Sequence, residues 1–286
     1  MPELSNIGVI KSILERHGFS FSKGLGQNFL VNPTVCPRIA EMGGAGPGVG
    51  AIEIGTGIGV LTRELASRAE KVVAIEIDKR LMPVLDETLS DFDNIKIIND
   101  DVMNVDLAEL IEREFPGLDV IVCANLPYYI TSPIIMMLME SRLRLRSVTV
   151  MVQREAAQRL CAKPGTREAG AVTVAVNYFS EPELLFNVSR GSFMPQPNVD
   201  SSVIRLNIRG NTPEGVSDEK FFFKTVRAAF SQRRKTLVNS VSSGLGISKE
   251  ITSAAVEAAG LPQNIRPEQL SMQRFVDLSN ELKTRV

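Results

Sequence analysis

The chain has 286 residues, of which 44% are hydrophobic, and its formal net charge is -1. This size and apolar content suffice for a buried core and are typical of one large domain, or of a large and a small one. The sequence has no run of about 18 uncharged apolar residues, and its first thirty residues hold acids without a signal-type apolar block. We therefore expect a cytoplasmic globular protein with no membrane span and no export signal.

The cysteine and histidine content argues against a metal site and a disulfide framework. Cys36, Cys123 and Cys161 are far apart in the sequence and show no CxxC spacing, so we interpret them as buried small apolar residues. The single histidine, His17, has no nearby nucleophile and is interpreted as a surface residue. We predict that the protein binds no metal.

An apparent helix opens the chain, and short apolar runs then alternate with amphipathic ones from residue 48 onward. The apolar runs are rich in Val and Ile, as are strands buried on both faces. The predicted strands are VGAIEI (49–54), KVVAIEI (71–77), IKII (95–98), LDVIVC (118–123) and SVTVMV (147–152). The predicted helices between them are VLTRELASRA, KRLMPVLDETL, LAELIEREF and SPIIMMLMESRL. This alternation predicts an α/β fold with a doubly wound, mainly parallel sheet.

The C-terminal part of the chain differs in character. AVTVAVNYF (171–179) and SSVIRLNI (201–208) have no long helix between them and are predicted to form an antiparallel edge of the sheet. The segment NIRGNTPEGVSD (207–218) is interpreted as a linker, beyond which the sequence is helical. We therefore predict two domains, 1–209 and 210–286. From Arg209 onward there are 12 Lys/Arg and 8 Asp/Glu, so the small domain is the expected polyanion-binding part.

A glycine-rich loop, EIGTGIGVLT, follows the first of the five strands. Gly55, Gly57 and Gly59 would let the backbone turn tightly and approach a ligand, and their GxGxG spacing differs from the GxGxxG of dinucleotide-binding folds. Glu76, at the end of the second strand, is placed to accept hydrogen bonds from ribose hydroxyls, and Asp101, after the third, from an exocyclic amine. Taken singly, the two acids are equally typical of solvated turns. Together, these strand ends resemble the cofactor crevice of class I S-adenosylmethionine-dependent methyltransferases.

The segment ANLPYYITSP (124–133) ends the fourth strand, beside the expected methyl donor. The N6 amine of adenine is a weak nucleophile because its lone pair is delocalised into the ring. If Asn125 Oδ1 accepts one N6 hydrogen and the Leu126 carbonyl accepts the other, the lone pair can face the sulfonium methyl. Pro127 holds Leu126 extended, and Tyr128 offers a ring for an extruded base to stack on, worth about 1–3 kcal/mol. A plain strand-to-helix turn would explain the proline but not the asparagine together with the tyrosines.

NLPY alone resembles a motif of many amino-group methyltransferases, some acting on DNA and some on protein glutamine. Four further stretches occur in order along the chain, which extends the resemblance over roughly residues 11–283. They are KGLGQNFLVN (23–32), MVQREAAQRL (151–160), SFMPQPNVDSSVIRL (192–206) and FSQRRKTLVNS (230–240). With NLPYYITSP, they resemble the bacterial small-subunit ribosomal RNA adenine dimethyltransferases, the KsgA/RsmA type. The resemblance implies a Rossmann-like catalytic domain and a small all-helical C-terminal domain.

The resemblance also implies roles for individual residues. The segment around Asn28 would fold over the methionine moiety of the cofactor. Phe193 would sandwich the target base opposite Tyr128, in a loop stiffened by Pro195 and Pro197. The family's S-adenosylmethionine contacts fall on Asn28, Leu30, Gly55, Glu76, Asp101 and Asn125.

Two basic stretches are candidates for RNA binding. Arg233, Arg234 and Lys235 lie between helices of the small domain and would bind phosphates, with a solvated charge run as the alternative. For RLRLR (142–146), phosphate binding and a solvated charge run are equally favoured. Asp200 is interpreted as structural.

The chain departs from the family pattern in two places. Where the family commonly has a tyrosine before a glycine, this chain has Ala169 and Gly170, so no aromatic role is expected there. Gly24 is unusual before LGQNFL and would loosen the segment over the cofactor.

The resemblance implies transfer of two methyl groups from S-adenosylmethionine to N6 of each of two adjacent adenosines. These adenosines lie in a hairpin loop near the 3′ end of small-subunit (16S) rRNA, and the activity is linked to small-subunit assembly. The implied partners are the small ribosomal subunit and its rRNA, and a monomer is expected. The alternatives are a large-subunit rRNA methyltransferase that confers macrolide resistance, and an assembly factor for which docking matters more than methylation. An NAD-dependent dehydrogenase is excluded by the glycine spacing and by the lack of a His or Tyr-Lys acid pair.

Overall fold

The computed structural model describes residues 4–22, 24, 26–232 and 234–286. The chain divides into one unit formed by Met1–Ala157 and Glu183–Ile208 and a second formed by Gln158–Pro182 and Arg209–Val286. The second unit therefore includes residues 158–182, which the sequence assigned to the first domain. The functional roles given to the two domains stay predictions.

The strands form one large sheet and one small one. In chain order they are β1 (Phe29–Leu30), β2 (Val49–Ile54), β3 (Lys71–Glu76), β4 (Ile95–Asn99), β5 (Asp119–Asn125), β6 (Ser147–Gln153), β7 (Ser180–Val188), β8 (Phe193–Met194) and β9 (Ser201–Ile208). The seven-stranded sheet has the order β4-β3-β2-β5-β6-β9-β7, and β1 pairs with β8. The strands from β4 to β6 are parallel, and β9 is antiparallel to β6. The predicted α/β class is confirmed, with a mainly parallel sheet and an antiparallel edge.

The centre of the large sheet is the core of the first unit. β2 is buried along its whole length, and β5 is buried at all but its two end residues. Ile52 on β2 and Ile121 on β5 have no exposed surface, and burying such a side chain contributes about 1.5–3 kcal/mol. The carboxyl ends of β2 and β5 are therefore anchored in the buried centre of the sheet.

Helices connect the strands of the first unit. They are α1 (Ile7–Arg16), α2 (Val35–Gly43), α3 (Val60–Ala66), α4 (Met82–Thr88), α5 (Leu107–Glu114), α6 (Thr131–Glu140) and α7 (Arg154–Leu160), the last of which extends into the second unit. Asp106 begins α5, because its carboxylate accepts hydrogen bonds from the first free backbone amides of that helix. In the part of the chain that the structure describes, no helix is both long and apolar enough to cross a membrane.

The second unit is built from helices around an aromatic core. Its helices are α8 (Ala171–Phe179), α9 (Glu219–Phe230), α10 (Leu237–Leu245), α11 (Lys249–Ala258) and α12 (Met272–Lys283). Tyr178 packs against Phe222 and Phe223, with ring centroids 5.2 and 4.9 Å away. Its hydroxyl donates to Glu219 at 2.9 Å. The aromatic pairs hold α8 against α9.

The prediction that AVTVAVNYF is a strand was wrong, because this segment is helix α8. Its valines favour a strand, but the residues Val174, Val176 and Tyr178 are all buried, as they can be when a helix is enclosed by others. At its start, the Gly170 amide donates to Thr173 Oγ1. The strand neighbouring β9 is instead β7. It was not predicted as a strand because its sequence contains acidic residues and a proline.

The three cysteines are present as thiols, and the histidine is paired with a glutamate. Cys36 and Cys123 are buried, as predicted, and Cys161 is half-buried. Burial raises the pKa of Cys123 to about 12, with the Glu53 charge adding to the rise, so this thiol stays protonated. His17 Nε2 lies 2.7 Å from Glu87 Oε2, which fixes α1 to α4.

Candidate active site

A crevice opens at the carboxyl ends of β2, β3 and β5, where open α/β sheets bind ligands. The backbone after each strand and the segment before β1 form its walls. The residues that line it are Gly26, Gln27, Asn28, Phe29, Gly55, Gly57, Glu76, Ile77, Leu81, Asn125, Leu126, Pro127, Tyr128, Tyr129 and Phe193. We call this space the crevice. Most of the residues that the sequence assigned to cofactor and base therefore share one site.

The glycine loop supplies one wall of the crevice. Gly55 and Gly57 have φ values of +79° and +56°, a conformation that residues with a Cβ rarely adopt. A Cβ on Gly55 would have only the Asn125 carbonyl near it, at 3.9 Å, whereas one on Gly57 would lie 3.2 Å from the Phe29 ring. A ligand can thus approach the backbone at Gly55 more closely than any side chain there would allow.

Glu76 forms the second wall and is held rigidly. Its Oε2 accepts hydrogen bonds from Thr56 Oγ1 at 3.0 Å and from the Gly57 amide at 3.1 Å. Its Oε1 accepts from the Asp78 amide at 2.9 Å. Burial raises the pKa of Glu76, and these three donors oppose the rise. A carboxylate can accept about four hydrogen bonds, so Glu76 keeps an acceptor position for a hydroxyl in the crevice.

Asp101 lies apart from the residues that line the crevice. It follows β4, and its carboxylate accepts a hydrogen bond from the Met103 amide at 2.9 Å. Ile77, which follows Glu76, lines the crevice and is 51% exposed. The assignment of Asp101 to the cofactor stays a prediction, and Ile77 is a lining residue that the sequence did not indicate.

Asn125 is the last residue of β5, and it lines the crevice. Its Nδ2 donates to the main-chain carbonyl of Asn28, 3.3 Å away. Since a carbonyl can only accept, this contact assigns Nδ2 to the Asn28 side and leaves Oδ1 as an acceptor. The Leu126 amide donates to Met151 O at 3.2 Å, so the chain after Asn125 stays attached to β6.

Two aromatic side chains, Tyr128 and Phe193, line the same crevice as Asn125. Tyr128 is half-buried, and its hydroxyl lies 2.9 Å from Ser201 Oγ. Burial raises the pKa of Tyr128, with a smaller contribution from the Asp200 charge, so the hydroxyl stays neutral. Phe193 is 5% exposed and is held by the pairing of β8 with β1, opposite Leu30. Ser201 supports Tyr128 and could not be found from a local pattern, because the two residues are 73 positions apart.

A smaller recess adjoins the crevice beneath the glycine loop. Leu30, one of the predicted cofactor residues, lines it together with Glu53 and Cys36. Glu53 is 1% exposed and both its carboxyl oxygens lack a hydrogen bond among the described residues. Burial raises the pKa of Glu53 to about 8, and the charge of Glu76 adds to this rise. The Thr62 hydroxyl lowers the pKa in part, although it does not form a hydrogen bond with the Glu53 carboxyl group. Glu53 is therefore mainly protonated at neutral pH.

The model of the ribosomal RNA adenine dimethylase family matches residues 18–284. The chain belongs to this family. A ribosomal RNA small subunit methyltransferase A of Geobacillus thermodenitrificans is 50% identical over 284 residues, covering 98% of this chain and 97% of the relative. That of Bacillus cytotoxicus is 49% identical over 286 residues, covering 99% and 98%. The predicted family and enzyme class are confirmed: the chain is a ribosomal RNA methyltransferase.

Solved structures support the same fold. The 23S rRNA methyltransferase ErmE is 29% identical, with a TM-score of 0.67, and the match covers 90% of this chain and 100% of that one. A dimethyladenosine transferase from Plasmodium falciparum is 23% identical, with a TM-score of 0.67 and coverage of 99% and 98%. Both matches reach across the two units of this chain.

The two basic stretches considered for RNA binding lie in different units, RLRLR (142–146) in the first and Arg234 and Lys235 in the second. Arg234 and Lys235 are exposed between α9 and α10, and Arg233 lies outside the described residues. In RLRLR, Arg146 donates to the Gly44 carbonyl and lies 3.6 Å from Asp119, so at least this arginine is held by the protein.

The remaining assignments concern supporting residues. Asp200 accepts a hydrogen bond from the Arg190 amide and, through its carbonyl, one from the Arg154 amide. These bonds agree with a structural role. Ala169 donates its amide to Thr166 O in a turn before α8, and Gly24 is an exposed turn residue. No group of three or more His, Cys, Asp or Glu residues in the described ranges is arranged to hold a metal ion.

Proposed function

We propose that this chain transfers two methyl groups from S-adenosylmethionine to N6 of each of two adjacent adenosines in small-subunit rRNA. The target lies in a hairpin loop near the 3′ end, and the reaction is linked to small-subunit assembly. The observation that carries the proposal is the orientation of Asn125, whose Nδ2 donates to the Asn28 carbonyl and whose amide oxygen accepts no hydrogen bond from the described residues. The partners are the small subunit and its rRNA, and the enzyme acts in the cytoplasm.

The first unit holds the methyl donor. Its residues fit an adenosyl ligand, because Gly55 leaves its backbone open and Glu76 keeps an acceptor position on a fixed carboxylate. Asn28, Leu30, Gly55, Glu76, Asp101 and Asn125 would contact it. When bound, S-adenosylmethionine supplies an electrophilic methyl group on a sulfonium centre.

Asn125 and Leu126 orient the target amine. Asn125 Oδ1 accepts one N6 hydrogen and the Leu126 carbonyl accepts the other, so that the nitrogen lone pair is released from the ring and faces the methyl group. Tyr128 and Phe193 hold the extruded base by stacking. Catalysis then comes mainly from positioning. No strong general base is needed, because the alkylated nitrogen becomes acidic once it carries positive charge.

The second methyl transfer needs room for the first methyl group. A monomethylated nitrogen has a single hydrogen left, so one acceptor contact is replaced by a methyl. We therefore expect small neighbours close to Asn125. Gly55 is one small residue there, because a Cβ built on it would lie 3.9 Å from the Asn125 main-chain carbonyl oxygen.

The second unit would bind RNA through its basic residues. Arg234 and Lys235 are exposed. Each such charge that binds a phosphate releases counterions from the nucleic acid, and this release favours binding. Arg233 belongs to the same proposal from the sequence alone. The large-subunit alternative has one supporting observation, the 29% identity to ErmE. The relatives named as small-subunit enzymes are more similar, at 50% and 49%, and they favour the small subunit.

The proposal is tested with radiolabelled methyl donor and either immature small subunits or large-subunit RNA. We expect label on two adjacent adenosines of the small-subunit RNA with wild type and none with Asn125→Ala. Asn211→Ala is the matched control, since Asn211 is exposed and does not line the crevice. Label on large-subunit RNA would support the alternative substrate. Equal subunit binding by wild type and Asn125→Ala, with no label from either, would identify an assembly factor.

A further inference from the structure

Gln27 connects the segment over the crevice to the loop that follows β3. Its Nε2 donates to Asp78 Oδ2 at 2.8 Å, and its Oε1 accepts from the Ser22 amide at 2.9 Å. Both ends of the amide are therefore used, which fixes its orientation. Residues 27 and 78 are 51 positions apart in the sequence, so this bond exists only in the folded first unit.

Asp78 is the fixed end of this connection. It is 5% exposed, and Arg80 binds both its oxygens, Oδ1 through Nε at 2.8 Å and Oδ2 through Nη2 at 2.6 Å. The hydrogen bond from Arg80 is the largest cause of a lowered pKa of Asp78, with Gln27 adding to it. Arg80 also donates to the Ser20 carbonyl at 3.3 Å, so the N-terminal segment is attached at a second point.

The same residues connect to both ends of the crevice. The Asp78 amide donates to Glu76 Oε1, so the aspartate that holds Gln27 also holds the carboxylate proposed to bind ribose. The residue after Gln27 is Asn28, whose carbonyl accepts from Asn125 Nδ2. Gln27 and Asn28 therefore bridge the ribose side and the amine side of the crevice through adjacent residues.

We infer that Gln27 and Asp78 are positioning residues that couple binding of the adenosyl group to the orientation of Asn125. We call the bond between them the Gln27–Asp78 latch. It holds the Asn28 carbonyl where it fixes the Asn125 amide, and it keeps Phe29 against the glycine loop. Neither residue touches the reacting atoms, and the inference rests on the proposed function, because it concerns the same crevice.

The test uses the full chain and two readouts besides catalysis. The first is the affinity for S-adenosylhomocysteine, the demethylated donor, measured by calorimetry. The second is hydrogen exchange at the backbone amides of Asn28, Phe29 and Leu30 in the ligand-free protein. We expect Gln27→Ala to weaken binding by about tenfold, as loss of a hydrogen bond to a charged group does, and to speed exchange at these amides.

A donor placed back against Asp78 supplies the rescue that a merely structural role would not give. Gln27→Glu places a second carboxylate against Asp78 and should weaken binding at least as much as Gln27→Ala. Gln27→Lys again presents a donor to Asp78 Oδ2, which already accepts from Arg80 Nη2 at 2.6 Å, so this variant should recover most of the affinity that Gln27→Ala loses. The matched control is Gln273→Glu, because Gln273 makes the same kind of bond to Asp277 at 2.9 Å on the exposed face of α12.

The outcomes separate this inference from the proposed function. If wild type binds S-adenosylhomocysteine and both Gln27→Ala and Gln27→Glu match it in affinity and exchange, the latch is overturned. Failure of Gln27→Lys to bind more tightly than Gln27→Ala, while it stays folded, would also overturn the coupling. If wild type itself does not bind the compound, the proposed function fails, and the exchange data alone then report whether the latch exists.

Discussion

At the level of single residues, Tyr128 combines a stacking ring with a hydroxyl that is already occupied by Ser201. Tyr128→Phe keeps the ring and should lower the methyl-transfer rate by less than about fivefold, the loss of one neutral hydrogen bond. Tyr128→Ala removes the stacking surface, worth about 1–3 kcal/mol, and should lower it by about 5- to 150-fold. Single-turnover rates for the two variants measure the difference. Ser201→Ala should reproduce the small effect, and equal losses for Phe and Ala would show that the ring does not hold the base.

Glu53 is a buried acid whose titration should make stability depend on pH. Its folded pKa is about 8, above the ordinary value of about 4.3 for an unfolded chain. Because the pKa of Glu53 is higher in the folded protein, the folded state binds more protons than the unfolded chain between about pH 4.3 and about pH 8. The free energy of unfolding therefore falls as the pH rises through this range, with a slope of up to about 1.4 kcal/mol per pH unit. Glu53→Gln cannot titrate and should lack this loss. Denaturant unfolding of both proteins at pH 5 and pH 8 measures this loss. An equal change in the free energy of unfolding for wild type and Glu53→Gln would contradict the prediction.

At the level of elements, Glu114 at the end of α5 binds cations from three parts of the chain. Its carboxylate accepts from Lys71 at 2.9 Å, Lys96 at 2.6 Å and Arg113 at 3.0 Å, and its side chain is 8% exposed. These bonds join α5 to β3 and β4. We expect Glu114→Gln to reduce the free energy of unfolding by about 1–3 kcal/mol at pH 7, measured by urea denaturation.

The three donors, led by Lys96, lower the pKa of Glu114 to about 2. An acid whose pKa is lowered by folding stabilises the folded state at pH values above its unfolded pKa. This contribution is lost as the pH falls from about 4.3 towards 2. The difference between wild type and Glu114→Gln should therefore shrink over that range. Glu112→Gln is a suitable control, because Glu112 is an exposed acid on the same helix. A difference that stays constant down to pH 2 would mean that the charge on Glu114 does not matter.

Elements with a clear sequence pattern were predictable, and those set by tertiary contacts were not. The five parallel strands were found because each is an apolar run of strand length between turn residues. β1 and β8 have two residues each and are defined by their pairing alone. The helix α8 was missed because its valines favour a strand. In the folded protein, the contacts of Tyr178 with Phe222 and Phe223 stabilise the helical conformation instead.

The site shows the same division between local and long-range information. Asn125, Leu126, Pro127 and Tyr128 were predictable because they are consecutive and follow a strong strand. The bond from Gln27 to Asp78 and the bond from Tyr128 to Ser201 each join distant parts of the sequence. Such contacts have no local pattern, although Gln27 lies next to Asn28 in the motif that carried the resemblance.

At the level of the whole molecule, the two units divide cofactor chemistry from RNA binding in the proposed function. Replacing Arg234 and Lys235 with glutamine should weaken RNA binding for every sequence alike. It should also reduce the slope of log affinity against log salt by about 1 to 2, since two phosphate contacts are lost. Filter binding at several salt concentrations measures the slope. Lys249→Gln controls for charge alone in the second unit, and an unchanged slope in the double variant would leave these residues as a solvated charge run.

The central claim is that Asn125 orients the adenine amine through its free amide oxygen. The most direct measurement is the single-turnover rate of methyl transfer by Asn125→Ala, with methyl donor and small-subunit RNA both saturating, so that weaker binding does not contribute. Positioning by a hydrogen bond in a closed site predicts a fall of about 100-fold or more. A rate within threefold of wild type would contradict the account.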